Sequence, residues 1–229
     1  MVEIRQFLSR SDNFSVLVHD SATGATAAID APEEAAILRA LGETGWRLTD
    51  ILVTHEHADH VEGIPGLKAK FGCRVVAPRK ATRVPDVDER VSEGDRVTVG
   101  GIAIDVLDTP GHCPDHIAFW LREQKTVFTG DTLFAIGCGR IFGCTPAEFY
   151  QSMQKLAALP DETAVYCGHE YTLANARFAL TVDPDNVALR TRALQVENLR
   201  AQDKVTLPTN IGLEKATNPY TVSYTHLTL

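Results

Sequence analysis

Short apolar segments separated by turn residues make up the first half of the chain. Three strands are predicted at its start, because each segment alternates or runs apolar and ends at Ser, Asp, Gly or Pro: VEIRQFL, FSVLVHD and ATAAID. A helix is predicted for PEEAAILRALGETG, which opens with Pro32 and has carboxylates in its first turn. The pattern then predicts a strand for DILVTH, a helix for DHVEGIPGLKAKFG and a strand for RVVAP.

The alternation of strands and turns continues after residue 90 and stops near His169. Strands are predicted for RVTVGG, IAIDVLDTPG, HIAFWL and TVFTGD, a helix for PAEFYQSMQKLAALP and a last strand for AVYCGHE. Residues 171–203 instead carry helical spacing broken by VDPDN, which predicts two helices. The order indicates an α+β main domain, residues 1–170, and a small helical domain, residues 171–229.

Composition and charge narrow the classes of protein that fit. The 229 residues are 44% hydrophobic and 23% charged, as in ordinary globular proteins, and the net charge is -8. Because no basic run appears, nucleic acid is not an expected partner, whereas a small anionic substrate is still allowed. No apolar stretch is long enough for a membrane span. The five cysteines are an odd number and include no C-x-x-C pair, which is typical of a protein whose thiols stay reduced. We expect a cytoplasmic protein that does not bind membranes.

The segment HEHADH, residues 55–60, is the strongest chemical signal in the sequence, and it follows an apolar strand. Alternate side chains of an extended segment point the same way, so His55 and His57 can reach one metal ion. Asp59 and His60 come where the chain turns toward a helix, so they can reach a second metal position close to the first. Imidazole nitrogen with carboxylate oxygen suits zinc, iron or manganese better than calcium or magnesium.

Three further candidate ligands also come at the ends of apolar runs, namely His112, Asp131 and His169. With HEHADH they make seven candidates, too many for one tetrahedral ion, so the count favours two divalent metal ions. Asp131 is the plausible bridge between them, because it is the only late carboxylate placed like a ligand. Two such ions would make hydroxide available near neutral pH and polarise a carbonyl oxygen, which predicts metal-assisted hydrolysis.

The segments HEHADH, TPGH, TGDTLF, GCGR and CGHEYT, in this order, resemble the metallo-β-lactamase superfamily and, within it, the glyoxalase II (hydroxyacylglutathione hydrolase) family. The resemblance implies a four-layer αββα sandwich with a dinuclear site at one edge, followed by a small helical substrate-binding domain. It also implies the distribution of the ligands: His55, His57 and His112 on the first metal, Asp59, His60 and His169 on the second, and Asp131 between them. Catalysis is expected to depend on Asp131, His112 and Asp59.

The same resemblance suggests where a glutathione thioester would bind. Arg140, in GCGR, would reach the glycine carboxylate of glutathione, since an arginine can bind a carboxylate through two hydrogen bonds. Tyr171 would lie beside it, although it could equally be a core aromatic. Phe142 stands where the family often has a second tyrosine, and it can pack but cannot donate a hydrogen bond. The C-terminal TVSYTHLTL departs from the family pattern, so a truncated or non-native tail is expected.

Several readings of the metal site stay open at this point. The first is a monomeric thioester hydrolase that converts S-D-lactoylglutathione to D-lactate in methylglyoxal detoxification, with zinc favoured and iron or manganese allowed. The others are a persulfide dioxygenase with one iron, another hydrolase of the superfamily such as a lactonase, and a non-catalytic metal-binding protein. Among the remaining histidines, His116 is expected to be buried beside the ligands, and His19 and His226 to be structural or exposed. Glu56 could orient a ligand or face solvent.

Overall fold

Two six-stranded sheets form the main body of the computed structural model, which describes residues 1–221. The first sheet contains, in spatial order, β1 (Val2–Ser9), β2 (Asn13–Asp20), β3 (Ala25–Ile29), β4 (Asp50–Leu52), β5 (Arg74–Pro78) and β6 (Glu89–Val91). Its first three strands pair antiparallel, and β3 to β6 run parallel. Parallel strands bring their carboxyl ends to one edge, and that edge carries the functional residues.

The second sheet completes the body of the molecule. It contains, in spatial order, β14 (Thr209–Asn210), β13 (Ala164–Cys167), β10 (Thr126–Gly130), β9 (Ile117–Leu121), β8 (Ile102–Asp108) and β7 (Arg96–Val99). Only β10 and β13 pair in parallel, so their carboxyl ends also lie at one edge. A separate hairpin consists of β11 (Leu133–Phe134) and β12 (Gly137–Cys138).

Seven helices occur within residues 1–221: α1 (Glu34–Thr44), α2 (Ala58–Val61), α3 (Ile64–Phe71), α4 (Pro146–Ala157), α5 (Thr172–Val182), α6 (Val187–Arg200) and α7 (Ile211–Thr217). The predicted helix at DHVEGIPGLKAKFG is therefore two short helices, α2 and α3. Helix α4 begins at a capping box, in which the Thr145 side chain accepts from the Glu148 N–H and Glu148 accepts from the Thr145 N–H. None of the helices in this range is long and apolar enough to cross a lipid bilayer.

Alternating side chains of the strands build the core. In β2, Val16 and Val18 face the second sheet, whereas Leu17 faces the helices on the other side. Between the sheets, Phe119 and Phe128 of the second sheet are fully buried against such residues of the first. The two apolar inner faces hold the sheets together because burying them removes a large apolar area from water.

Helices cover the outer face of each sheet. Ile37 of α1 and Leu67 of α3 pack on the first sheet, and Met153 and Leu156 of α4 pack on the second. The layers are thus helix, sheet, sheet and helix, which confirms the expected αββα architecture. Ala118 and its outward-facing neighbours in the second sheet receive the apolar face of α4.

The C-terminal region is only partly as predicted. The two helices expected in residues 171–203 are present as α5 and α6, and they pack on each other through Ala179, Leu189 and Ala193. The expectation that only helices follow His169 is wrong, because β14 pairs antiparallel with β13 and is followed by α7. Residues 222–229, which include His226 and most of the predicted non-native tail, lie outside the described residues, so the expectations for them stay predictions.

Candidate metal centre

The seven candidate ligands come together at the edge where strands of both sheets end. His55 follows β4, the 57–60 segment enters α2, and His112 lies in the turn after β8. Asp131 directly follows β10, and His169 lies two residues after β13. Five of the seven are buried, and His57 and Asp59 are partly exposed at the bottom of a cleft. The candidate ligands meet here because each follows a strand that ends at this edge of one of the two sheets.

His55, His57 and His112 form the first group of converging nitrogen atoms. His57 Nδ1 lies 3.1 Å from His55 Nε2 and 2.9 Å from His112 Nε2. Burial lowers the pKa of His55 well below its usual value, and burial also lowers the pKa of His112. Neutral rings with facing lone pairs are what a divalent cation requires from three imidazoles.

Asp59, His60 and His169 form the second group. Asp59 Oδ2 lies 3.8 Å from His60 Nε2 and 3.5 Å from His169 Nε2. Burial disfavours a charged His60, yet the carboxylates of Asp131 and Asp30 raise its pKa well above the usual value. Without a metal, a proton on His60 therefore compensates part of the negative charge of Asp131 and Asp30. A bound cation would compensate the same charge in place of that proton.

Asp131 lies between the two groups and faces both. Its Oδ2 is 3.6 Å from His112 Nε2 and 3.3 Å from His169 Nε2, and its Oδ1 is 3.5 Å from His60 Nε2. Burial works against ionisation, but His60 and His169 hold the pKa of Asp131 well below its usual value. The carboxylate is therefore charged and directed at both sets of nitrogen atoms.

Two buried atoms in this cluster test whether a metal fits. His60 Nε2 and Asp131 Oδ1 are buried and have no hydrogen-bond partner among the described residues. Buried polar atoms in proteins are nearly always paired, so unpaired atoms that face each other indicate a missing ligand. Nitrogen and oxygen donors of this kind suit zinc, iron or manganese. The residues present fit divalent metal ions.

The outward nitrogen of four rings is held by a protein oxygen, which fixes the ring and directs Nε2 inward. His60 Nδ1–H donates to Asp30 and His169 Nδ1–H donates to Asp12, at 2.8 and 2.9 Å. The His112 Nδ1–H donates to the Arg140 carbonyl at 2.9 Å. His55 Nδ1 lies 3.0 Å from the Thr54 hydroxyl, which itself donates to Asp30.

Sequence reasoning did not find Asp12, Asp30 or Thr54. Asp30 lies within 4.8 Å of His55 and His60 and could be taken for a ligand. Its carboxylate already accepts from the Thr54 N–H, the Thr54 hydroxyl and His60, so it holds the His60 ring and the Thr54 hydroxyl in place. The only signal in the sequence was its place at the end of a buried strand, which it shares with the ligands.

His116 and Glu56 have supporting contacts at the same edge. His116 is buried, as expected, and its Nε2 accepts from the Asp131 N–H at 3.0 Å, while Nδ1 faces the Thr109 and Thr132 hydroxyls. Glu56 accepts from the Arg83 N–H and side chain, so it ties the ligand loop to the neighbouring loop. Both residues hold backbone next to the candidate ligands.

A cleft of about 580 Å³ opens above the two groups and is lined by the three expected substrate-contact residues. The half-exposed Phe142 ring lies 5.4 Å from the His112 ring, and Tyr171 stacks on His169 at 4.7 Å. Partial burial, followed by the charges of Asp12 and other carboxylates, raises the pKa of Tyr171 to about 12. Its hydroxyl is therefore a hydrogen-bond donor at neutral pH. The exposed Arg140 guanidinium has no ion pair within residues 1–221 and is available to an anion.

Comparisons with known families divide the chain into two parts. Residues 10–169 match the metallo-beta-lactamase superfamily, and residues 170–223 match the hydroxyacylglutathione hydrolase C-terminus. A hydroxyacylglutathione hydrolase of Methylobacterium nodulans is 56% identical over 221 residues, which is 96% of this chain and 87% of that protein. A hydroxyacylglutathione hydrolase of Mesorhizobium japonicum is also 56% identical, over 96% of this chain and 86% of that protein.

Solved structures give the same fold. ETHE1 from Myxococcus xanthus has a TM-score of 0.68 and 30% identity, covering 94% of this chain and 96% of that one. TTHA1623, solved in a di-iron-bound form, has a TM-score of 0.68 and 26% identity, covering 93% and 97%. The BLEG-1 B3 metallo-beta-lactamase has a TM-score of 0.73 at 19% identity, over 96% of this chain and 100% of that one, which supports the fold alone.

Proposed function

Because the chain belongs to the hydroxyacylglutathione hydrolase family of the metallo-β-lactamase superfamily, we propose that it hydrolyses S-(2-hydroxyacyl)glutathione thioesters with two divalent metal ions. The observation that carries this proposal is the place of Asp131. Its Oδ2 lies 3.6 Å from His112 Nε2 of the first group and 3.3 Å from His169 Nε2 of the second, and its Oδ1 faces His60 of the second group. A carboxylate so placed can be shared by two ions. A single closed structural site needs no such sharing.

The ligand assignment follows the two groups of converging atoms. His55, His57 and His112 would hold one ion, Asp59, His60 and His169 would hold the other, and Asp131 would contact both. When bound, such ions lower the pKa of a shared water and polarise a carbonyl oxygen. Zinc is the favoured metal on the mixed nitrogen and oxygen donors, with iron and manganese as the alternatives.

The chain's own residues orient the reacting centre and the substrate. Asp30, Asp12 and the Arg140 carbonyl fix three histidine rings, so the site loses little entropy when it binds a ligand. Among residues 1–221, the candidate ligands Asp59 and Asp131 are the only carboxylic acids that line the cleft. That composition suits a thioester, because a thiolate leaves without a strong protein acid.

The glutathione part would bind along the cleft. Arg140 would pair with a carboxylate of glutathione, the Tyr171 hydroxyl would donate a hydrogen bond, and Phe142 would contribute apolar contact. Residues 171–229 would be the substrate-binding domain, a proposal supported by Tyr171 and by Asn175 of α5, which also lines the cleft. We further propose a monomer in a reducing compartment such as the cytoplasm, where the five free cysteines would stay reduced.

A thioester-hydrolysis assay tests the proposal. We expect purified, metal-loaded protein to hydrolyse S-D-lactoylglutathione, and we expect Asp131→Ala to lose nearly all of that activity. Glu123→Ala is the matched control, because it removes an exposed carboxylate that is not among the described residues lining the cleft. Full activity in Asp131→Ala would contradict the shared carboxylate, and hydrolysis of lactones in preference to the thioester would contradict the substrate.

A further inference from the structure

The β11–β12 hairpin connects two parts of the candidate metal centre. It begins two residues after Asp131 and ends two residues before Arg140. Its turn residue Ile136 has a φ of 57°, a left-handed conformation that a β-branched side chain rarely adopts. A strained backbone of this kind persists only where its surroundings enforce it.

Side chains from the C-terminal region hold this turn. The Ile136 N–H donates to Glu214 Oε2 at 2.8 Å, and Asn218 Nδ2 donates to the carbonyls of Phe134 and Gly137 at 3.1 and 2.9 Å. Asn175 Nδ2 donates to the Ala135 carbonyl at 3.1 Å. The polar groups of the turn are thus bound by the helical region.

The holding side chains are themselves fixed by a buried network. Asn218 Nδ2 also donates to Glu214, and Arg192 forms an ion pair with the same carboxylate. Glu214 and Asn218 are fully buried, and Arg192 is buried too. We name these three residues the polar clamp. Apolar contacts add to it, because the Ile136 side chain is buried among residues of α5 and α6 such as Ala176 and Leu189.

The exit of the hairpin reaches a candidate ligand. The Gly139 N–H donates to the Thr132 carbonyl, and the next residue, Arg140, supplies the carbonyl that accepts from His112 Nδ1–H. Gly139 is also closely packed, because a Cβ there would come within 2.0 Å of the Asp131 carbonyl oxygen. A shift of the hairpin would therefore move the Arg140 carbonyl away from His112.

We propose that the polar clamp is a positioning device for the metal centre, in which Asn218 and Glu214 hold the hairpin so that the Arg140 carbonyl orients His112. This inference rests on the ligand role of His112 in the proposed function. It assigns the C-terminal region a second task besides substrate contact. The clamp acts on the ion held by His55, His57 and His112, and the other group has its ring partners elsewhere, on Asp30 and Asp12.

Zinc titration of metal-free full-length protein against a chromophoric chelator tests the proposal. We expect Asn218→Ala to bind one of its two zinc ions about 10-fold or more weakly, in line with the effect of losing an outer partner of a ligand. The loss at the other ion should be clearly smaller, because Asp131 is the only ligand of that ion that is next to the hairpin in the chain. Asn186→Ala is the matched control, since it removes the N-cap of α6 in the same region, and the side-chain hydrogen bonds of Asn186 within the described residues go to Asp183, Leu189 and Ala216 and not to the hairpin. Equal weakening in both variants, or wild-type affinity in folded Asn218→Ala, would overturn the proposal.

A milder variant covers the case in which Asn218→Ala does not fold. Asn175→Ala removes only the hydrogen bond to the Ala135 carbonyl, and we expect a smaller but selective loss at the same ion. Asn175 lies outside the polar clamp but holds the same turn, so two unchanged zinc affinities in Asn175→Ala would contradict the proposal that the held hairpin orients His112. The titration uses no substrate, so a failure of the thioester assay would count against the proposed function and leave this test standing.

Discussion

Replacing Asp30 by Asn tests how the protein sets the orientation of a candidate ligand. Asp30 is 3% exposed, and its Oδ2 accepts from His60 Nδ1–H at 2.8 Å. In Asp30→Asn, an amide N–H donor can occupy that place, and His60 would then present a bare Nδ1 and carry its proton on Nε2. Nε2 is the atom directed at Asp131, so the lone pair needed by the metal would be lost.

The size of the effect follows from the contacts of Asp30. Loss of an outer partner of a metal-bound histidine typically costs 10–100-fold in affinity. Because Asp30 is buried and water cannot replace it, we expect the upper end, about 100-fold or ~2.7 kcal/mol, at the ion bound by His60. The substitution should add no backbone strain that could change the zinc affinity, because Asp30 has a φ of 56° and Asn adopts this left-handed region as readily as Asp.

Zinc competition titration with a chromophoric chelator measures the change, and Asp12→Asn provides the comparison. Asp12 makes the equivalent bond to His169, but its side chain is 39% exposed, so water can replace it and the loss should be about 10-fold or less. Wild-type affinity for both ions in Asp30→Asn would refute the reasoning. So would an equal loss in the two variants.

Three further predictions concern the fold and the substrate. Phe119→Ala should lower the free energy of unfolding by ~3–5 kcal/mol in urea titrations, because the ring is fully buried between the sheets, and a loss below 1 kcal/mol would contradict that packing. The Gly101 N–H, followed by the Thr23 side chain and the Ala22 N–H, lowers the pKa of Asp20 from 3.8 to about 2. The ionised Asp20 therefore stabilises the fold above pH 3.8, and this contribution is lost as the pH falls toward 2. The Tm difference between wild type and Asp20→Asn should shrink over that pH range, and a constant difference would contradict the prediction. Arg140→Ala should raise KM for S-D-lactoylglutathione about 10-fold with kcat nearly unchanged, and Arg140→Lys should retain part of the affinity; a fall in kcat alone would argue against a carboxylate contact.

Much of the fold could be predicted because local pattern and burial agree. In β2, for example, successive apolar side chains point in turn to the helices and to the space between the sheets. For α4, the sequence itself contains the first-turn Pro and the two residues of the capping box. The histidines of HEHADH could be found because neighbours in sequence point to the same place in an extended segment. His112, Asp131 and His169 could be found because each follows an apolar run.

The remaining features depend on contacts between residues far apart in the chain. Asp12 and Asp30 are ordinary turn residues in the sequence, and only the packing of strands from different segments brings them to His169 and His60. Strand β14 has two residues and no periodicity, so pairing with β13 alone defines it. The hydrogen bond between Glu214 and the Ile136 N–H joins residues 78 apart, which no local pattern signals.

Metal stoichiometry tests the central claim most directly. Elemental analysis of the purified, metal-loaded protein, combined with S-D-lactoylglutathione hydrolysis during stepwise metal addition, reports how many ions each chain needs. We predict two divalent ions per chain and hydrolysis that requires both. One iron per chain with oxygen uptake and no thioester hydrolysis would contradict the account and favour a mononuclear dioxygenase.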